Sequence, residues 1–84
     1  MWYVYVLVSD LDNKFYVGLT ENLNNRLSLH STGKVSSTKD RRPLKLVYYE
    51  ASLNREDALH RERYLKSTYG KRYIRNRLKN YLTG

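Results

Sequence analysis

An uninterrupted apolar run near the N-terminus constrains the fold of this chain more than any other feature. The run, WYVYVLV at positions 2–8, is mainly β-branched or aromatic, which favours a β-strand. It is far shorter than the roughly 20 residues that a membrane-spanning helix needs. It also lacks the charged start and the small-residue cleavage site of a signal peptide. We therefore expect a cytoplasmic protein that does not associate with membranes.

The residues after this run predict a β-hairpin. A polar D-L-D-N stretch suits a turn, and the F-Y-V-G-L segment suits the returning strand. With a turn over residues 10–13, the register places Tyr5 opposite Gly18 and Leu7 opposite Tyr16. Tyr5 and Tyr16 then lie diagonally on one sheet face, within reach of each other, unless the register slips by one residue. Gly18 marks a strand position where a ligand or another backbone comes close.

Helix and strand patterns alternate along the rest of the chain. We expect Thr20 to be the N-cap of the first helix and Asn54 the N-cap of the second. We expect Gly70 to end the second helix. The predicted elements are a helix over about 21–31, a loop over Ser31–Pro43, a strand over Leu44–Ala51, a helix over about 55–68 and a helix over Lys71–Leu82. The order β-β-α-β-α-α predicts an α+β fold, a small antiparallel sheet flanked by helices, in a single domain over residues 1–84.

Charge and composition narrow the choice of partner. The 84 residues include 16 Lys and Arg against 8 Asp and Glu, a net charge of +8, which favours a polyanion such as nucleic acid. The absence of cysteine excludes disulfides, thiol catalysis and cysteine-based zinc sites. No base-reading motif accompanies the charge, so we expect recognition of nucleic-acid shape or junctions. The basic residues predicted to contact phosphates are Lys34, Lys39, Arg41, Arg42, Lys66, Lys71 and Arg72.

A set of polar side chains fits phosphodiester hydrolysis. Arg26 and His30 are four residues apart and share a helix face, where the Arg26 guanidinium suits a phosphate. Glu62 falls on the inward side of its helix, where a charge needs a partner, a metal or an altered pKa. Its carboxylate suits one Mg²⁺ ion whose other ligands are waters and a phosphate oxygen. Tyr5 or Tyr16, with a cation beside it, would orient or deprotonate the attacking water, and His30 would assist.

These residues, in this order and spacing, resemble the GIY-YIG nuclease superfamily. The resemblance rests on Tyr5, on Y-V-G at Tyr16–Gly18, on Arg26 and His30, and on the later helical Glu62. It extends over nearly the whole chain, including the segments P-L-K-L-V-Y-Y-E and H-R-E-R-Y-L-K-S. More closely, the chain is similar to the small single-domain bacterial branch of that superfamily. The first motif here reads V-Y-V and lacks the glycine of the superfamily.

The resemblance implies a three-stranded antiparallel sheet and a DNA phosphodiesterase that uses one Mg²⁺ or Mn²⁺ ion. Between the two motif tyrosines, we favour Tyr5 as the general base and keep Tyr16 as the alternative. The matched residues are Tyr5 and Tyr16 as motif tyrosines, Gly18 as the closing glycine, Arg26 as the phosphate-contacting arginine, Glu62 as the metal ligand and His30 as a neighbour of the base.

Three functions stay open from the sequence. The first is a structure-specific endonuclease of DNA repair or recombination, acting on structured or single-stranded DNA. The second is a nucleic-acid-binding module that keeps the fold without useful turnover. The third is a nuclease subunit that works only with a partner. A homodimer or a recruiting partner protein would supply affinity that one small domain lacks.

Overall fold

The computed structural model describes residues 1–84, which form three strands, four α-helices and one short 3-10 helix. The elements are β1 (Trp2–Ser9), β2 (Phe15–Thr20), α1 (Leu23–Ser31), a 3-10 helix (Lys39–Arg41), β3 (Leu44–Ser52), α2 (Arg55–Lys66), α3 (Thr68–Arg77) and α4 (Lys79–Thr83). The predicted α+β class and the order β-β-α-β-α-α are confirmed, with α4 as a short addition. None of the helices has the length and apolar character that a bilayer crossing requires.

β1 is the central strand of an antiparallel sheet with the order β2-β1-β3. The hairpin register is the predicted one, because Tyr5 pairs with Gly18. The turn closes with a hydrogen bond of 3.1 Å from the Ser9 N–H to the Lys14 carbonyl. Tyr16 therefore lies diagonally from Tyr5 on the same face of the sheet.

The two faces of β1 bury different kinds of side chain. Val4 and Val6 face α2 and α3 and form the centre of the apolar core. The other members of that core are Val17, Ala58, Leu65 and Ile74. Tyr5, Leu7 and Ser9 alternate with the valines and face α1 and the segment that follows it. The apolar face supplies packing, and the opposite face collects the polar side chains.

A β-bulge in β3 changes which of its residues share a face with Tyr5. Tyr5 pairs with Tyr49, but the next same-face residue of β1 pairs with Leu46 rather than Val47. Val47 and Tyr48 both contact the core although they are consecutive in the chain. One extra residue in a strand interrupts its alternation in this way. Tyr49 and Leu46 therefore both lie on the α1 side of the sheet.

The first helix starts later than predicted. α1 begins at Leu23 with Asn22 as its N-cap, whose side chain accepts a hydrogen bond from the Asn25 N–H at 3.0 Å. The predicted cap, Thr20, instead ends β2, and its hydroxyl accepts from the Asn22 N–H at 3.1 Å. Threonine and asparagine both cap helices well, but strand pairing holds Thr20 in the sheet. Asn54 is the N-cap of α2, as predicted.

The break between α2 and α3 falls at Ser67, not at Gly70 as predicted. Ser67 follows the last residue of α2, and its hydroxyl accepts from the Gly70 N–H at 3.1 Å, which caps α3. Gly70 lies buried in the first turn of α3, against the α2 backbone at Tyr64 and Leu65. Its missing side chain lets the two helices approach closely. The predicted helix over Lys71–Leu82 therefore starts earlier and divides into α3 and α4.

We expect Gly70→Ala to destabilise the fold. The new Cβ would overlap the Tyr64 carbonyl and the Leu65 Cα, which are backbone atoms that cannot rotate away. Separating α2 from α3 should lower the free energy of unfolding by about 1–3 kcal/mol. Urea unfolding followed by circular dichroism measures this loss. Gly84→Ala is the matched control at the chain end, and an unchanged midpoint for Gly70→Ala would contradict the close packing.

Candidate active site

Tyr5, Arg26 and His30 form a hydrogen-bonded cluster between β1 and α1. The Tyr5 hydroxyl lies 2.8 Å from His30 Nε2, and Arg26 Nε donates to the same hydroxyl at 3.3 Å. The four-residue spacing places Arg26 and His30 on one side of α1. Tyr5 is 0% exposed and His30 1%, whereas Arg26 is half-buried. Tyr5 and His30 are therefore shielded from solvent, and Arg26 is the residue of the cluster that solvent reaches.

Thr38 extends this network and was not predicted from the sequence. Its buried hydroxyl lies 2.7 Å from His30 Nδ1. Both ring nitrogens of His30 therefore have a hydrogen-bond partner, and each neutral tautomer satisfies them. In one tautomer Tyr5 donates to Nε2 and Nδ1 donates to Thr38, and in the other both directions are reversed. A threonine in a polar loop gives no local sequence signal of such a contact.

Tyr16 packs beside the cluster and is only half-buried. Its ring centroid lies 5.1 Å from that of His30 and 6.4 Å from that of Tyr5. Its hydroxyl also interacts with the Arg26 guanidinium. Gly18 is the strand partner of Tyr5, and a Cβ at this position would overlap the Tyr5 ring. The close approach at Gly18 is therefore made by the Tyr5 side chain.

Burial and the Arg26 charge set the protonation states in the cluster. Burial raises the pKa of Tyr5 above 10.0, and the hydrogen bond from Arg26 partly offsets that rise. Burial, with the Arg26 charge as the smaller cause, lowers the pKa of His30 below 6.5. The hydrogen bond to Tyr5 raises the pKa of Arg26. At neutral pH the cluster therefore holds a neutral phenol, a neutral imidazole and a guanidinium cation.

Glu62 of α2 makes no hydrogen bond to the cluster but is near enough for its charge to act on Tyr5. It lies one turn after Ala58 and one turn before Leu65, so it belongs to the side of α2 that faces the core. Its side chain is only 14% exposed, and its negative charge contributes to the raised pKa of Tyr5. Its ion pair is with the exposed Lys66, at 3.4 Å. A pair with an exposed lysine contributes little in water, so the carboxylate is available to another cation.

The Glu62 carboxylate suits a metal ion whose other ligands are water molecules and substrate oxygens. No three His, Cys, Asp or Glu side chains come together, so the protein does not form a closed metal cage by itself. Mg²⁺ is commonly bound through one or two carboxylates, with substrate phosphates and waters as its other ligands. Glu62 supplies the hard oxygen donor that such an ion prefers. The residues present therefore fit an ion of this class.

The basic residues predicted to contact phosphates do not hydrogen-bond to the cluster. Arg41 and Arg42 donate to the backbone carbonyls of Lys14 and Lys39 at 3.2 Å and 2.9 Å, so they help to hold the segment after α1. Arg72 of α3 packs over a tyrosine ring. Lys66 pairs with the metal-ligand candidate, as described above. The remaining predicted contacts are Lys34, Lys39 and Lys71, which form no ion pair. Their contact with DNA stays a prediction.

Nearly the whole chain matches a described domain. Residues 1–79 match the GIY-YIG catalytic domain. The chain belongs to the GIY-YIG family. The GIY-YIG domain is a nuclease domain, so membership implies nuclease chemistry with DNA as the substrate. GIY-YIG nucleases are generally metal-dependent, in agreement with the oxygen donor at Glu62.

Small bacterial GIY-YIG proteins named UPF0213 are similar to this chain. A UPF0213 protein of Limosilactobacillus reuteri is 43% identical over 68 residues, which cover 77% of this chain and 70% of the relative. One of Staphylococcus haemolyticus is 41% identical over 66 residues, covering 77% and 79%. One of Pediococcus acidilactici is 36% identical over 81 residues, covering 89% and 82%. These names state no specific function, and no solved structure matches the chain.

We expect acid to destabilise the GIY-YIG domain through His30. Its folded-state pKa lies below 6.5, so the unfolded state binds more protons and stability falls as the pH drops below about 6.5. Thermal unfolding midpoints between about pH 5 and pH 8 measure the slope. His30→Gln should flatten it, whereas the control His60→Gln, at an exposed position of α2, should leave it unchanged. An NMR titration that placed the His30 pKa above 6.5 would contradict this account.

Proposed function

We propose that this protein is a metal-dependent DNA endonuclease that hydrolyses phosphodiester bonds at the Tyr5 cluster. The observation that carries the proposal is the hydrogen-bonded chain from Arg26 through Tyr5 to His30, with the Tyr16 ring packed against His30. Burying polar groups is costly unless each finds a partner, and no buried side-chain nitrogen or oxygen lacks one here. Arg26 is the member of this chain that reaches solvent, and a preorganised cation of this kind stabilises charge that develops in a transition state.

Arg26 is the proposed phosphate ligand. Its Nε is held by the Tyr5 hydroxyl, which fixes the plane of the guanidinium. The terminal nitrogens then remain for Tyr16 and for the oxygens of a phosphate, which a guanidinium binds in a bidentate manner. Half-burial reduces competition from water while it leaves the group open to a ligand.

Tyr16 is better placed than Tyr5 to contact the attacking water. The sequence favours Tyr5 as the base, but the Tyr5 side chain is fully buried and its hydroxyl is bonded to both Arg26 and His30. Tyr16 is half-exposed and lies beside Arg26, a cation that stabilises negative charge developing on a nearby oxygen. We therefore assign to Tyr16 the orientation of the attacking water, or its deprotonation after the phenol has released its own proton to solvent. Tyr5 and His30 act as positioning residues for Arg26.

Glu62 is the proposed protein ligand of one Mg²⁺ or Mn²⁺ ion. Such an ion, when bound, neutralises phosphate charge and stabilises the leaving oxygen. Three properties of Glu62 support this role: its hard oxygen donor, its low exposure and its electrostatic reach to Tyr5. Lys66 holds the same carboxylate only through an exposed ammonium.

The proposed substrates are structured or single-stranded DNA, as in repair or recombination. The net charge of +8 supports attraction to the phosphate backbone of any sequence. Phosphate contacts position a protein on DNA but do not read bases. Recognition by shape or by strand accessibility is therefore the consistent expectation.

We expect Glu62→Gln to abolish metal-dependent DNA cleavage. The amide keeps the size of the side chain but loses the negative charge that binds a cation. A metal contribution of several kcal/mol corresponds to a rate loss of about 100-fold or more. Cleavage of supercoiled, single-stranded and branched DNA is measured with Mg²⁺ or Mn²⁺. Glu56→Gln, at an exposed position of the same helix, is the matched control and should cleave like the wild type.

Two outcomes of this assay would count against the proposal. Equal cleavage by the wild type and Glu62→Gln would mean that Glu62 is not the metal ligand or that another enzyme contaminates the sample. If neither protein cleaves any DNA form but both bind DNA in a salt-sensitive manner, the domain is a binding module without turnover.

We expect Tyr16→Phe to reduce the cleavage rate more than it reduces stability. Removing the half-exposed hydroxyl leaves no buried group without a partner, so the unfolding midpoint should stay close to the wild-type value. The rate should fall by about 100-fold, the scale of a lost acid–base group. Tyr5→Phe should instead lower both rate and midpoint, because His30 and Arg26 lose a buried partner. Full activity of Tyr16→Phe would return the role of base to Tyr5.

A further inference from the structure

An exposed aromatic pair continues the face of the sheet that carries Tyr5. Tyr3 and Tyr49 are diagonal neighbours across β1 and β3, with ring centroids 6.1 Å apart and ring planes at 60°. Tyr49 is 53% exposed, and Tyr3 is half-buried. Neither ring belongs to the apolar core, which lies on the other side of the sheet. The pair is therefore free to contact a ligand.

The pair lines one wall of an open cleft whose other wall is the start of α1. The cleft has a volume of about 310 Å³. Its lining residues are Tyr3, Glu21, Asn22, Leu23, Asn24 and Tyr49. The Asn22 side-chain oxygen caps α1. The side chains of Glu21 and Asn24 are exposed and form no hydrogen bond or ion pair within the protein. The cleft thus combines aromatic faces with unused polar groups.

The cleft lies beside the candidate active site. Tyr3 precedes Tyr5 by two residues on the same face of β1, a distance of about 7 Å along the strand. Arg26 follows Asn22 by one turn of α1. One nucleotide of an extended strand covers a distance of this order. A nucleic acid whose phosphate contacts Arg26 therefore brings a neighbouring base to the cleft.

We propose that this cleft binds an unpaired nucleobase next to the phosphate that is cleaved. The proposal rests on the nuclease function proposed above, and it specifies the substrate as DNA that is single-stranded beside the cut. Aromatic side chains stack on any base, because every base has a π-face. The Glu21 carboxylate repels a phosphate, but it accepts hydrogen bonds from the amino groups of a base. A base inside a duplex is covered by its neighbours and cannot offer the same face and edge.

A binding experiment without divalent metal tests this site separately from cleavage. A short single-stranded oligonucleotide with one 2-aminopurine is bound in EDTA, and its fluorescence and anisotropy are followed. The wild type should quench 2-aminopurine by stacking. Tyr49→Ala should weaken single-strand binding by about 5- to 150-fold and remove the quenching. Tyr49→Phe should keep both, because the ring and not the hydroxyl stacks.

Two controls set the specificity of that effect. Tyr81→Ala removes another exposed tyrosine, on α4, and should bind like the wild type. A duplex of the same length should bind wild type and Tyr49→Ala with similar affinity, because phosphate contacts dominate there. Unchanged single-strand binding by Tyr49→Ala would overturn the proposal. Equal weakening for duplex and single strand would overturn it as well.

Two further outcomes distinguish this site from its alternatives. If Tyr49→Ala changes the sedimentation of the free protein from dimer to monomer, a second copy covers the pair and the nucleobase site is wrong. If the quenching depends on Tyr49 but the wild type cleaves no DNA with Mg²⁺ or Mn²⁺, the base site stands and the nuclease function fails.

Discussion

The burial of β1 on both faces is the constraint on which the rest of this structure depends. The strand is hydrogen-bonded along both edges, so its backbone polar groups are satisfied by β2 and β3. Its side chains then need two different environments. The valines of one face need the apolar surface of α2 and α3, whereas Tyr5 and Ser9 need polar partners on the other face. The small sheet therefore places a polar network against its own centre.

That network links parts of the chain that are far apart in sequence. Ser9 donates to the Arg41 carbonyl at 2.6 Å, and Thr38 contacts His30, so the segment after α1 is tied to both the strand and the helix. Each of these groups is buried or partly buried, and removing one leaves another without a partner. The candidate catalytic side chains therefore share their support with the fold itself, and substitutions among them are expected to be non-additive.

Local patterns in the sequence predict the elements and the hairpin but not every contact. The short turn specifies the pairing of Tyr5 with Gly18, which is confirmed. The sequence predicts the end of α2 at Gly70, whereas the structure has it at Ser67. A glycine that allows close helix packing looks the same in a sequence as one that ends a helix. Thr38 gave no signal, since its contact with His30 exists only after the loop folds back. The sequence predicts that Tyr5, Arg26 and His30 lie close together, and the structure shows that they do. Their roles in catalysis remain predictions.

The bulge at Val47 has a consequence for how the sequences of related chains can vary in length. Without this residue, the ladder between β1 and β3 would become regular, and Tyr48 and Leu46 would keep their present partners on β1. Tyr49 would also stay on the side of Tyr5. Deletion of Val47 thus leaves the other residues of β3 on their present faces of the sheet. A deletion elsewhere in the strand moves the residues beyond it to the opposite face. Homologues that differ by one residue in β3 are expected to gain or lose it at this point.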